Sequence, residues 1–132
     1  MTVVADASLV VAALVDSGPD GTWAESVLAN DHLVAPHLMP AEVANILRRA
    51  LLAREISDDT ASLAHTDLLA LPVELLPYEP FAERVWQLRS SVTAYDAWYV
   101  AVAEILDVAL ATLDVRLTRA AGPRCAFLLP PG

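Results

Sequence analysis

Four acidic side chains stand where they could bind a divalent cation. Asp6 and Asp114 directly follow apolar runs, TVVA and ALATL, that are typical of strands. Glu42 and Asp96 stand in the first turns of predicted helices. Because open parallel sheets bind ligands at the carboxyl ends of their strands, we expect one crevice to gather all four carboxylates. Crowded carboxylates repel one another, and a divalent cation would offset that repulsion.

Each acid also has a local explanation. Asp6 and Asp114 are placed to cap the helix or turn that follows them. Asp96 stands three residues after Thr93, which is the spacing of a capping box. Glu42 would favour the positive end of its helix whatever its function. Capping does not require the four side chains to lie close together, so their clustering distinguishes one site from four separate caps.

The available ligands favour Mg²⁺ or Mn²⁺, because both cations prefer oxygen donors. Zinc is disfavoured, since Cys125 is the only cysteine and the three histidines show no paired metal spacing. Mg²⁺ usually keeps several waters and binds one or two carboxylates directly. Some of the four acids are therefore expected to act through bound water.

Small polar residues accompany the two acids that follow strands. Ser8 lies two residues after Asp6, and Thr112 lies two residues before Asp114. We expect both hydroxyls to orient water or a phosphate oxygen. The alternative is that Ser8 is an ordinary first-turn residue and Thr112 an ordinary strand residue.

Aromatic residues give a weaker indication. Trp23, Trp86 and Trp98 lie on predicted helices. Their spacing favours packing in the core or in an interface, and base stacking is the alternative.

Strands and helices alternate along the chain, which predicts an α/β sandwich over a single domain, residues 1–132. The predicted strands are mostly continuous apolar runs, typical of parallel strands covered on both faces. They are Thr2–Ala5, His32–Ala35, Val73–Leu76, Ala109–Leu113 and Ala126–Leu129. The predicted helices are Ser8–Val15, Thr22–Ala29, Ala41–Arg54, Asp58–Leu71, Phe81–Ser90 and Ala94–Leu106.

The composition of the chain indicates its cellular compartment and its broad class of protein. The hydrophobic fraction is 56% with a mean hydropathy of +0.47, so we expect apolar surface to remain for a partner or a second copy of the chain. The longest nearly apolar run, Ala7–Val15, is far shorter than the ~20 residues that span a membrane. The first basic residue is Arg48, so a secretory signal is not expected. A single cysteine fits a reducing cytoplasm.

The charge of the chain argues, taken alone, against a nucleic-acid partner. The net charge is −9, and all eight basic residues are arginine. Phosphate binding normally requires excess positive charge. The absence of lysine excludes a Gly-Lys phosphate-binding loop and a receiver domain of two-component signalling. A haloacid-dehalogenase phosphatase would need a second aspartate where Ser8 stands.

Four segments in order resemble the PIN-domain ribonucleases, and more narrowly the VapC-type toxins of bacterial toxin–antitoxin pairs. They are VVADAS, PAEVANIL, AYDAWYVAVAE and ATLDVRLTRA. The resemblance spans almost the whole chain. It implies a three-layer sandwich whose central, mostly parallel, five-stranded sheet has the order 3-2-1-4-5. That order would set Asp6 beside Asp114.

The resemblance also implies an activity, a metal-dependent endoribonuclease acting as a toxin. The acidic quartet that binds Mg²⁺, with Mn²⁺ as a substitute, would be Asp6, Glu42, Asp96 and Asp114. Asp6 and Asp96 are the first choice for direct ligands, and Ser8 and Thr112 match hydroxyl positions beside the quartet. Arg116 would contact the RNA backbone. The alternative is that Arg116 lies on a solvated helix face and binds nothing.

The implied partners are a cognate antitoxin, a transfer or ribosomal RNA substrate, and a second copy of the chain in a homodimer. A different class of function also fits the residues. A catalytically silent PIN-like binding module would sequester an antitoxin or RNA, and its acids would only cap helices.

Overall fold

The computed structural model describes all 132 residues and contains one five-stranded sheet. All four neighbouring pairs of strands are parallel, in the order β3-β2-β1-β4-β5, so the predicted order is confirmed. The strands are β1 Thr2–Ala5, β2 His32–Pro36, β3 Val73–Leu76, β4 Ala109–Ala111 and β5 Phe127–Leu128.

Seven α-helices flank the sheet, and a 3-10 helix at Glu79–Phe81 precedes the fifth of them. They are α1 Ala7–Val15, α2 Pro19–Asn30, α3 Met39–Leu52, α4 Asp58–Ala70, α5 Ala82–Gln87, α6 Ala94–Leu106 and α7 Val115–Arg119. Helix α1 packs against α2, α3 and α4, whereas α6 packs against α5 and against β1, β2 and β4. These helix groups are the outer layers of the predicted three-layer sandwich.

The central strand is the most deeply buried element, as expected of a parallel strand covered on both faces. Val3, Val4 and Ala5 are completely buried in the core. Ala5 pairs with Ala111 of β4, and the Asp6 amide donates to the Ala111 carbonyl oxygen at 3.2 Å. The carboxyl ends of β1 and β4 therefore lie side by side, which sets the residues that follow each strand next to one another.

The fourth strand is shorter than the predicted Ala109–Leu113. Two amides beyond its end donate to side-chain oxygens: Leu113 to the Ser8 hydroxyl at 3.1 Å and Asp114 to the Thr112 hydroxyl at 2.9 Å. Side-chain oxygens thus replace the backbone acceptors of a neighbouring strand at this point.

Some helices begin or end at residues other than the predicted ones, because proline and turn hydrogen bonds set their ends. Helix α2 begins at Pro19 rather than Thr22, because proline fits the first helical position. Helix α5 covers only Ala82–Gln87, and the chain then continues through turns to Ser91. The segment after Asp114, expected to be a short turn, is helix α7.

No helix in the structure combines the length and the apolar character that crossing a bilayer requires.

Candidate active site

The carboxylate of Asp6 is held from two elements. It caps helix α1 and accepts hydrogen bonds from the Ser8 amide at 3.4 Å and the Ser8 hydroxyl at 3.0 Å. The hydroxyl of Thr112, the residue directly after β4, also donates to it. The position of Asp6 is therefore fixed at the junction of β1 and β4.

The two hydroxyls form a small network around that carboxylate. Ser8 Oγ lies 3.3 Å from Thr112 Oγ1, and Thr112 is completely buried. The same oxygens accept the amides of Leu113 and Asp114. Both predicted supporting residues thus contact Asp6 and hold the segment that leads to Asp114.

Asp114 caps helix α7 and lies beside an arginine. Its Oδ1 accepts from the amides of Arg116 at 3.0 Å and Leu117 at 3.3 Å. Nε of Arg116 lies 3.7 Å from the same oxygen, and the Arg116 side chain is 95% exposed. This guanidinium is close to the candidate site yet free to contact a ligand from solvent.

Glu42 has a partner that the sequence reasoning missed. The hydroxyl of Tyr99, a residue only 1% exposed, donates to Glu42 Oε1 at 2.6 Å. Burial, and then the Glu42 carboxylate, raise the pKa of Tyr99 far above its ordinary value, so the phenol remains a donor. Tyr99 lies three residues after Asp96 on α6, and this spacing was the available signal that the two share a helix face.

Asp96 lies in the first turn of α6, where its amide donates to the Thr93 hydroxyl at 3.1 Å. Its side chain lines a groove of about 570 Å³ together with Asp114 and Arg116. The groove gives these two acids access to solvent and to a ligand.

Asp6, Glu42 and Asp96 are each affected by the charge of another acid of the quartet. Burial raises the pKa of three of them, Asp6, Glu42 and Asp96. At Asp6 the hydrogen bonds from Thr112 and Ser8 oppose this shift, and the charge of Asp114 adds to it. The charge of Asp6 also raises the pKa of Glu42 and of Asp96. The structure therefore brings the predicted quartet into one electrostatically coupled group.

Local explanations also hold for some of the acids. Asp6 and Asp114 are helix caps, Thr93 caps α6 ahead of Asp96, and Glu42 lies in the first turn of α3. Carboxylates that only cap separate helices need not affect one another. Capping therefore does not explain why the charge of one acid raises the pKa of another.

The donor set suits a hydrated magnesium or manganese ion. No three acidic, histidine or cysteine side chains are arranged to chelate an ion as they stand. Mg²⁺ does not need such a cage, because it usually takes one or two carboxylates directly and retains water. Carboxylate and hydroxyl oxygens, with no nitrogen or sulfur, fit these hard cations.

One of the three tryptophans lies outside the core. Trp23 and Trp98 are half-buried against the core, but Trp86 is 65% exposed. Val85 and Leu88 occupy the buried side of the short helix α5 and the turn after it, which leaves Trp86 facing outward. Trp86 therefore does not pack in the core, and its place in an interface stays a prediction.

Comparisons with known proteins agree with this geometry. The family model described as "PIN domain" matches residues 3–123. The chain is 44% identical over 127 residues to Ribonuclease VapC1 of Mycobacterium tuberculosis, covering 96% of each chain. It is 35% identical over 129 residues to Ribonuclease VapC9 of the same species, covering 98% of each.

Two solved structures share the fold. Mycobacterium tuberculosis VapC20, described as a sarcin-ricin loop cleaving toxin, has a TM-score of 0.67 at 15% identity, over 89% of this chain and 93% of that one. PAE2754 from Pyrobaculum aerophilum has a TM-score of 0.71 at 23% identity, over 96% and 83%. With the family match and the relatives at 35–44% identity, the chain belongs to the PIN-domain family and, within it, to the VapC ribonucleases.

Proposed function

We propose that this chain is the toxin of a toxin–antitoxin pair and hydrolyses RNA phosphodiester bonds with Mg²⁺, for which Mn²⁺ substitutes. The observation that supports this most directly is the coupled group of four carboxylates beside the ends of β1 and β4. Membership of the VapC ribonucleases supports RNA as the substrate.

Asp6 and Asp96 are the direct ligands in this proposal, and Glu42 and Asp114 complete the site by holding either the attacking water or a second ion. When bound, the cation supplies an acidified water and offsets negative charge on the phosphate. Ser8 and Thr112 hold the Asp6 carboxylate in place, and Tyr99 holds Glu42. These contacts fix the ligand oxygens before the ion arrives.

Arg116 binds a phosphate oxygen of the RNA backbone. Its exposed guanidinium lies beside Asp114, so a phosphate group that contacts Arg116 also lies close to the carboxylates. In a chain with a net charge of −9, local cations of this kind are needed to hold RNA near the acids.

The same proposal includes a cytoplasmic location and three partners. A cognate antitoxin and a transfer or ribosomal RNA substrate follow from the family. A homodimer agrees with exposed apolar side chains such as Leu52, Leu63 and Leu69.

The test compares RNA cleavage by the wild-type chain, Asp6→Asn and the control Asp58→Asn, an exposed acid in the first turn of α4. Each is assayed with Mg²⁺, with Mn²⁺ and with chelator. We expect chelator and Asp6→Asn each to reduce cleavage about a thousandfold, as loss of several kcal/mol of transition-state stabilisation implies. Asp58→Asn should cleave normally. Equal cleavage in every condition would reject the metal mechanism, and RNA binding without any cleavage would favour the silent binding module.

A further inference from the structure

Two arginines from different elements line the groove that adjoins the candidate site. Arg116 belongs to α7, and Arg89 belongs to the turn after α5. Asp96 and Asp114 line the same groove of about 570 Å³. A ligand in the groove can therefore touch the carboxylates and both guanidinium groups at once.

Arg89 is held against an exposed aromatic ring rather than against an acid. Its guanidinium carbon lies 4.8 Å from the centre of the Trp86 ring, and its Nη1 donates to the Trp86 carbonyl oxygen at 2.8 Å. The ion pairs of the chain involve Arg84 and Arg116 but not Arg89. Arg89, which lines the groove, and Trp86, which lies beside it outside the lining, thus form a cationic platform, and no acidic side chain of the chain pairs with its charge.

An exposed tryptophan beside an unpaired arginine indicates a binding surface for a particular kind of ligand. Keeping a tryptophan 65% exposed forgoes the burial that normally stabilises such a side chain. Aromatic rings and arginine planes that follow a charged groove are the features that bind unpaired nucleotides, through base stacking and phosphate contact. In a duplex the base faces are already stacked on their neighbours, so the platform suits single-stranded RNA.

We propose that the Trp86–Arg89 platform binds an unpaired nucleotide next to the scissile phosphate, with its base stacked on the platform and its phosphate on Arg89. Arg116 then holds the phosphate nearest the carboxylates. This proposal rests on the proposed ribonuclease function and narrows the class of RNA that the chain can cleave. The substrate must present a single-stranded nucleotide beside the cleavage point.

The test measures binding separately from cleavage. A fluorescein-labelled, single-stranded RNA of roughly 12 nucleotides is titrated in chelator and followed by anisotropy and by quenching of protein tryptophan fluorescence. The variants are Trp86→Leu, Trp86→Phe and Arg89→Ala. The control is Arg49→Ala, an exposed arginine on α3 that does not line the groove. Circular dichroism checks that each variant is folded.

We expect Trp86→Leu to weaken binding roughly 5- to 100-fold, because it keeps the apolar bulk but removes the flat ring. Trp86→Phe should retain most of the affinity and lose most of the quenching. Arg89→Ala should weaken binding and reduce the slope of log affinity against log salt by about one. In cleavage assays with Mg²⁺, these variants should raise KM more than they lower kcat, and Arg49→Ala should match the wild type.

The outcomes separate this proposal from the ribonuclease function. Wild-type cleavage with unchanged RNA affinity in Trp86→Leu and Arg89→Ala would overturn the platform and leave the function standing. RNA binding that depends on Trp86 without any cleavage would support the platform and remove the function. Polyglutamate of equal charge that competes as well as the RNA, or a duplex that binds as tightly, would also overturn the platform.

Discussion

The carboxylates of the candidate site differ in the hydrogen bonds that offset the cost of burying their charge. Asp6 accepts from two hydroxyls and Glu42 from a phenol. The pKa of Asp96 is raised by burial and then by the charges of Asp6 and Asp114. A pKa that is higher in the folded chain than in the unfolded chain lowers stability as pH rises through that interval. Without a cation, the ionised acids therefore oppose folding at neutral pH.

Asp96→Asn is expected to stabilise the metal-free chain. At pH 7.5 in chelator, its Tm should exceed the wild-type value by about 2–4 °C, after allowance for solvent screening. The gain should disappear towards pH 3, below the ordinary aspartate pKa of about 3.9, where Asp96 becomes protonated in both the folded and the unfolded chain. Thermal unfolding at several pH values measures it. Asp67→Asn, an exposed acid on α4, is the control and should show no gain. A pH-independent gain would contradict the electrostatic explanation.

Tyr99→Phe tests the donor to Glu42. Removing the hydroxyl deletes one hydrogen bond to a charged group, and we expect cleavage to fall about tenfold near pH 6. The loss should be smaller at pH 8, because without its donor the Glu42 pKa rises further and the acid limb of the pH–rate profile moves upward. The profile of Tyr95→Phe, an exposed tyrosine on the same helix, should match the wild type. A uniform loss at every pH would assign Tyr99 a packing role only.

At this scale the sequence predicted the acids but not their partners. Asp6, Glu42, Asp96 and Asp114 each stand at a strand end or in a first turn, which are positions visible in a linear pattern. The contact of Glu42 with Tyr99 joins residues 57 positions apart. It depends on how α3 and α6 pack, which no local pattern specifies.

At the scale of elements, one glycine sets the contact between α1 and α2. A Cβ built on Gly21 would lie 1.8 Å from the carbonyl oxygen of Asp16, at the end of α1. Backbone cannot move aside as a flexible side chain can, so the close approach requires glycine. Gly21 therefore fixes the angle at which α2 leaves the turn.

Gly21→Ala is expected to lower the free energy of unfolding by about 3 kcal/mol, because overpacking against backbone forces the two helices apart. Urea denaturation followed by circular dichroism measures the loss. Gly132→Ala is the matched control, since a Cβ there would meet nothing within 4 Å. A loss below about 1 kcal/mol in Gly21→Ala would show that the turn relaxes easily.

The Arg84–Glu104 ion pair connects α5 to α6 and to the segment after α7. Arg84 donates to both oxygens of Glu104 at 2.7 and 3.2 Å, and the Arg124 amide donates to Glu104 at 2.7 Å. Burial alone would raise the pKa of Glu104, but these hydrogen bonds lower it. A lowered folded pKa stabilises the chain above the unfolded pKa of Glu104, and that contribution disappears as pH falls through the folded pKa.

Glu104→Gln should therefore cost about 2–3 kcal/mol at pH 7, less than the loss of one partner in a fully buried pair. The difference from the wild type should shrink towards pH 3. Urea denaturation at both pH values measures it, with Glu83→Gln on the exposed side of α5 as control. A cost that is equal at both pH values would show that side-chain shape, not charge, matters here.

Element positions were largely predictable, and element ends were not. The apolar runs of β1 and β3 and the capped helix α6 have their predicted limits. Helix α5 is shorter than expected, because the amides of Leu88 and Arg89 turn back to carbonyls within its last turn. The end of β4 depends on the hydroxyls of Ser8 in α1 and of Thr112 directly after the strand, which are interactions that hydrophobic periodicity does not report.

At the scale of the whole molecule, the alternating pattern predicted the α/β class, but the strand order came from family resemblance. Strand order depends on which crossovers lie side by side, and apolar runs do not specify that. The site exists because β1 and β4, more than a hundred residues apart, are neighbours in the sheet. One consequence is that cation binding at this junction should stabilise the entire fold.

Mg²⁺ should raise the Tm of the wild-type chain in a saturable way, because a ligand that binds only the folded state adds about 2.7 kcal/mol at 100 times its Kd. Differential scanning calorimetry at pH 7.5 measures the shift against NaCl of equal ionic strength, which separates site binding from general screening of the −9 net charge. Asp6→Asn should lose the shift, whereas Asp67→Asn should keep it. At pH 5 the wild-type shift should be smaller, since protons compete with the ion for carboxylates whose pKa values are raised. An equal rise in Asp6→Asn, or an equal rise with NaCl, would mean that the acids bind no specific ion and that they have only local roles, as helix caps or first-turn residues.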